Sequence, residues 1–132
     1  MIGTDTNFLI RILLDDKEQP KQVNAARKLA SVAKKLYVPQ VVQVEIVWVM
    51  KSAYQLEKSV IVKILAHLDN NPAFVLQDAD IFHTALDQYI ESNADFSDCI
   101  ILAQAQKIDV TLHTFDKRLA QLSGATAIEE IK

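Results

Sequence analysis

Residues 37–50 read YVPQVVQVEIVWVM, and the reading of this stretch decides what kind of fold the chain has. Tyr37-Val38 is a short β-prone piece. The run from Val41 to Met50 is β-branched enough for a second strand. Against that, Pro39 suits a helix N-terminus, and Val41, Val44 and Trp48 fall on one helical face. This favours a helix, with Trp48 as a core residue. The run is too short for a membrane span of about 18 apolar residues, and it carries Glu45.

Outward from this stretch, the same alternation recurs. Phe8, Leu9, Ile12 and Leu13 have helical spacing after a short apolar start. Val23, Ala26, Leu29 or Ala30, Ala33 and Leu36 give a second amphipathic helix. Val60, Ile61, Ile64, Leu65 and Leu68 give another, and Ile81, Phe82, Ala85, Leu86, Tyr89 and Ile90 a further one. Between them lie β-prone pieces at 1–4, Tyr37-Val38, Phe74-Val75-Leu76, Val110-Thr111-Leu112 and Ala125 to Ile128. Short strands alternating with helices predict an α/β fold around a mainly parallel sheet, as one domain over residues 1–132.

Composition narrows the function classes. Half of the 132 residues are hydrophobic and 23% are charged, as in ordinary globular proteins. With only 2 glycines and 3 prolines, disorder and turn-rich β-sandwiches are disfavoured, and no glycine-rich phosphate loop can be built. Cys99 is the one cysteine, which excludes an intramolecular disulfide and a multi-cysteine zinc site and fits a reducing cytoplasm. His67, His83 and His113 lack metal-ligand spacing, and His67 is expected on a solvated helix face. The start, MIGTDTNFLI, has no basic region, so no signal peptide is expected. The net charge of −3 supplies no general attraction for nucleic acid.

Four acids sit where propensity alone would not place them. Asp5 ends the first strand, before Thr6-Asn7, which can cap the next helix. Glu45 lies inside an apolar run. Asp98 opens Ile100-Ile101-Leu102-Ala103, and Asp116 follows the strand-like VTLHTF. Ligands of open α/β sheets bind beyond the carboxyl ends of the strands, so Asp5 and Asp116 are expected to face one crevice. Each acid also has an ordinary reading. Asp95 and Asp98 fit the N-cap and third position of a helix, Asp5 and Asp116 fit turns or caps, and Glu45 can be exposed beside Lys51 or Gln43. Several ionised carboxylates converging in a partly buried site need a cation, and hard oxygen ligands suit Mg²⁺ or Mn²⁺. Such a constellation points to metal-assisted hydrolysis of a phosphoryl ester.

Taken in order, D-T-N at 5–7, the isolated Glu45, D-F-S-D-C-I-I-L-A at 95–103 and T-F-D at 114–116 resemble the motifs of the PIN-domain ribonucleases. Among these the short chain is most similar to VapC-type toxins of toxin–antitoxin pairs. The resemblance implies a three-layer α/β/α sandwich and a metal-dependent endoribonuclease held by a cognate antitoxin. It further implies a homodimer, an RNA substrate and a cytoplasmic location without a membrane. It assigns Asp5, Glu45, Asp98 and Asp116 as catalytic, metal-holding acids for Mg²⁺ or Mn²⁺. Thr6, Asn7, Asp95 and Thr114 are implied as supporting residues. An apolar groove by Phe8, Leu9, Leu13 and Leu36 is a candidate seat for an antitoxin helix, although core packing explains most of these residues. Arg11, Lys117 and Arg118 are candidates for holding RNA phosphate or for pairing with a neighbouring acid. The alternative to the enzyme is a non-catalytic PIN-like module that binds RNA or protein. The presence of all four acids favours the enzyme.

Overall fold

The computed structural model describes residues 1–131, which form two compact units, Met1–Ala79 and Asp80 onward. The first unit runs β1 (Ile2–Gly3), α1 (Thr6–Leu13), α2 (Pro20–Ala33), β2 (Leu36–Val38), α3 (Gln40–Ser52), α4 (Lys58–Asn70) and β3 (Phe74–Leu76). Its strands form one sheet in the order β1-β2-β3, with both pairs parallel. Parallel neighbours cannot be joined by a tight turn, so each crossover here is a pair of helices. The middle strand is the dry one: Leu36 is 3% exposed and Val38 is fully buried. Its register sets Ile2 opposite Leu36 and Val38 opposite Leu76. Buried Thr4 extends the pairing, because its backbone N and its Oγ1 both donate to the Tyr37 carbonyl at 2.9 Å.

The stretch 37–50 is a strand and then a helix. Pro39 stands at the N-cap of α3, and Val42, Ile46, Val47 and Met50 form its buried face. Val41 and Trp48 point the other way, and Trp48 is 70% exposed rather than part of the core. Apolar residues occur on every side of the helix, so spacing alone could not choose which face is covered. Buried Gln43 anchors it. Its Nε2 donates to the carbonyls of Val38 (3.1 Å) and Gln77 (2.8 Å), at the ends of β2 and β3. Gln77 Oε1 accepts from the Gln40 N–H at 2.8 Å. Together these bonds fasten the start of α3 to the carboxyl ends of two strands.

Two further boundaries depart from the periodic reading. Leu36 belongs to β2, not to α2, because Lys34 turns left-handed (φ 67°) and ends the helix with its N–H on the Ala30 carbonyl. The cap of α1 is Asp5, not Thr6 or Asn7: its Oδ1 accepts from the Phe8 N–H at 2.8 Å.

The second unit contains α5 (Ala79–Glu91), α6 (Phe96–Lys107), β4 (Leu112–Thr114), a short 3₁₀ turn (Leu119–Gln121) and β5 (Ala125–Ala127). Parallel β4 and β5 pair Leu112 with Ala125 and Thr114 with Ala127. The core carries an aromatic cluster in which Phe96 meets Phe82 and Tyr89 edge-on, at 5.7 and 5.6 Å between ring centres. Cys99 is buried among the apolar positions of α6, as a small core residue. The strand expected at 110–112 begins only at Leu112. Asp109 turns left-handed (φ 57°), and the Val110 N–H is used to cap α6 on the Ala105 carbonyl at 3.0 Å. Gln106 ties this unit together, with Nε2 donating to the Ser123 carbonyl and Oε1 accepting from Gln88 Nε2. Gly124 sits beside it at φ 92°, where a Cβ would come within 3.0 Å of that same Nε2.

The α/β class and the parallel strands are those expected from sequence. Among the described residues, no helix is long and apolar enough to cross a membrane.

Candidate active site

In the first unit, Asp5 follows β1 and opens α1. One carboxylate oxygen caps the helix, and the residue is exposed. The positive end of the helix favours an acid at this position. Thr6 and Asn7 form the first turn. Glu45 lies in the second turn of α3, whose start is fastened at the end of β2. The helical period carries it to the exposed face, so the acid in an apolar run needs no buried partner. α1 packs against α3.

In the second unit, Asp95 occupies the N-cap of α6 and Asp98 its third position, half-buried. Asp116 follows β4 and is held by its own turn. Its Oδ1 accepts from the N–H groups of Arg118 (2.8 Å) and Leu119 (3.0 Å), and its backbone N donates to Thr114 Oγ1 at 3.0 Å. Thus Asp5 and Asp116 each stand just past the carboxyl end of a parallel strand in their own unit.

Within this unit the charges of Asp116 and Asp95 act on Asp98. Burial pushes the Asp98 carboxyl above the ordinary carboxylate range, and the charges of Asp116 and then Asp95 push it further the same way. A divalent cation would reverse that penalty, and carboxylate oxygens are the ligands it prefers. The donor set therefore fits Mg²⁺ or Mn²⁺. Among the described residues, no three His, Cys, Asp or Glu side chains are grouped as a ready metal cage.

A polar network in the first unit escaped the sequence reading. A cavity of about 730 Å³ is lined by Thr6, Asn7, Arg11, Asp16 and Tyr54, among others. Arg11 Nη1 donates to Tyr54 Oη (2.7 Å) and Asp16 Oδ2 (3.3 Å), and Tyr54 Oη donates to the same Asp16 oxygen at 3.0 Å. Gln22 Oε1 accepts from Arg11 Nε at 2.9 Å. Of the two roles open to Arg11, it takes that of partner to a neighbouring acid. Asp15, the other half of the acidic pair, bridges to Arg27 at 2.9 Å. The sequence signal was an arginine five residues before an acid; nothing in it pointed to Tyr54.

Parallel strands joined by helices, with acids at strand ends and at a helix start, make this an α/β protein. The family model described as PIN domain matches residues 2–125, and the chain belongs to that family. It is similar to a VapC ribonuclease from Aquifex aeolicus (strain VF5), with 23% identity over 124 residues and 92% of each chain covered. Among solved structures it is similar to a toxin–antitoxin complex from Klebsiella pneumoniae, at 22% identity, 98% coverage of each chain and a TM-score of 0.38.

Proposed function

We propose that this chain is a metal-dependent endoribonuclease, the toxin of a toxin–antitoxin pair, with Asp5, Glu45, Asp98 and Asp116 as its catalytic, metal-holding acids. The observation that carries this reading is Asp98, whose carboxyl is held high by burial and by the charges of Asp116 and Asp95. Such mutual repulsion costs stability, and groups perturbed in this way cluster at functional sites. Membership of the PIN family and similarity to a VapC ribonuclease support the same reading.

Mg²⁺ or Mn²⁺, when bound, supplies an activated water and offsets the charge of a phosphodiester under attack. The chain's own residues prepare the acids for that ion. Thr114 holds the Asp116 backbone, and Asp116 keeps one oxygen on its own turn, which fixes the direction of the other. Asp5 is fixed in the same way by the Phe8 N–H, so both acids are oriented before any ligand arrives. Thr6 and Asn7 line polar space beside Asp5, and Asp95 adds negative charge next to Asp98.

The partner in this reading is a cognate antitoxin, the working form a homodimer, and the compartment the cytoplasm, where RNA is reached. One family model crossing both compact units supports treating residues 1–132 as one functional domain.

The test uses the chain purified free of any co-purifying protein and incubated with total cellular RNA in Mg²⁺, Mn²⁺ or EDTA. Asp98→Asn, prepared identically, controls for contaminating nuclease. Discrete metal-dependent fragments that vanish with Asp98→Asn are the expected result. Equal cleavage by both proteins, or none by either, would instead favour a non-catalytic binding module.

A further inference from the structure

Phe115 lies between Thr114 and Asp116 and leaves 66% of its surface in water. An aromatic ring held out of the core forgoes its hydrophobic stabilisation. Around it exposure alternates: Leu112 and Thr114 are half-buried, while His113 and Phe115 are exposed. Lys117 and Arg118 follow after Asp116, both exposed, and neither is in a salt bridge among the described residues.

The turn that presents this ring is rigidly bonded. Thr114 Oγ1 accepts from Asp116 N, and the Thr114 carbonyl accepts from Ile128 N at 2.8 Å. Asp116 Oδ1 receives two N–H groups, and the Asp116 carbonyl accepts from Ala120 N at 3.0 Å. Little ordering entropy would be lost when a flat ligand settles on a ring whose backbone is already fixed.

An exposed aromatic followed by two cations is the combination that binds single-stranded nucleic acid, with a base stacked on the ring and the backbone phosphate beside the cations. A protein contact is the poorer fit, because the residues that immediately follow Phe115 are an acid and two cations, where a protein hot spot favours a dry apolar surround. We infer that Phe115 is a base-stacking platform for single-stranded RNA, with Lys117 and Arg118 holding the adjoining phosphates. This rests on the endoribonuclease reading above and adds to it how the substrate is gripped: Phe115 binds a nucleobase next to the acid that helps to cut.

Two measurements test it. With the RNA that the wild-type chain cuts, Phe115→Ala should raise KM at least about fivefold, as expected for losing one stacked base, while Phe115→Trp should keep it. In EDTA, a Trp48→Phe, Phe115→Trp variant leaves one tryptophan at position 115. Its emission should be quenched by a short single-stranded RNA of mixed sequence and far less by the abasic analogue. An unchanged KM for Phe115→Ala, or equal quenching by both probes, overturns the proposal. So does a Phe115→Ala chain whose KM is unaltered but whose oligomeric state shifts, which would mark a protein contact instead. If the wild-type chain cuts no RNA, the nuclease reading fails, and the EDTA measurement still decides whether this ring stacks bases.

Discussion

At the scale of single residues, Asp5 carries two roles that substitution can separate. Its Oδ1 caps α1 on the Phe8 N–H, and the same carboxylate is a proposed metal ligand. Asparagine caps a helix about as well as aspartate, whereas alanine loses about 1 kcal/mol. Asp5→Asn should therefore melt like wild type in EDTA, and Asp5→Ala should melt several degrees lower. Both should lose cleavage by about 100-fold or more, since losing even an outer-shell partner costs a metal site 10- to 100-fold. A large stability loss in Asp5→Asn would make the carboxylate a structural acceptor instead. Asp98 behaves differently. Its carboxyl is held above the ordinary range, so in the absence of metal its ionised form works against the fold. With the folded pKa raised, this penalty is absent below the unfolded pKa, near 3.8, where the group is protonated in both states, and is complete once pH has risen through the higher folded value. At neutral pH Asp98→Asn should raise the metal-free melting temperature, but only slightly, because water screens a half-buried group. Added Mg²⁺ should stabilise wild type and leave this variant unmoved. The four acids stand out in sequence because each interrupts or borders an apolar or strand-like run. Whether Glu45 was buried was not legible, since that depends on which face of α3 meets the sheet.

At the scale of elements, the network of Arg11, Asp16 and Tyr54 joins the last turn of α1, the loop before α2 and the segment after α3. It thereby fixes the helix that begins at Asp5 relative to the end of the helix that bears Glu45. The Glu18 N–H bond does most to hold the Asp16 carboxyl below the usual carboxylate range, aided by the Tyr54 hydroxyl and the Arg11 charge, against the opposing effect of burial. With the folded pKa depressed, this stabilisation is present above the unfolded value of about 3.8 and is lost as pH falls through the lower folded value. Tyr54→Phe should cost about 1 kcal/mol at neutral pH, the net worth of a hydrogen bond. The difference from wild type should narrow as melts are taken from pH 5 to below the folded pKa of Asp16. A gap that stays constant through that range would assign the loss to packing. Most elements were readable from periodicity, but this latch was not, because Tyr54 and Asp16 are 38 residues apart and only the tertiary fold brings them together. The misplaced boundaries have similar causes. Leu36 continues the helical spacing of α2, and only the left-handed Lys34 moves it into β2. Val110 is as β-prone as Leu112, yet its N–H is used to cap α6.

At the scale of the whole molecule, charge constrains how RNA can be held. The chain has 14 basic against 17 acidic residues, so no broad cationic field draws in a polyanion. Four of the acids are proposed to meet the substrate through a cation, which leaves few positive groups to bind phosphate directly. Arg11 is occupied by Asp16 and Tyr54, and Arg27 by Asp15. Lys117 and Arg118, beside the exposed Phe115, are the cations this reading assigns to RNA. Two phosphate contacts predict a shallow salt dependence, since single-stranded nucleic acid releases about 0.7 counterion per neutralised phosphate. In EDTA, the logarithm of the binding constant for a short single-stranded RNA should fall with the logarithm of salt at a slope of about −1.4. Lys117→Ala and Arg118→Ala should each flatten that slope by about 0.7, while Phe115→Ala should lower affinity and leave the slope alone, because stacking releases no counterions. A wild-type slope steeper than about −3 would require further cations in the interface and would place the RNA on a wider surface than the turn after β4.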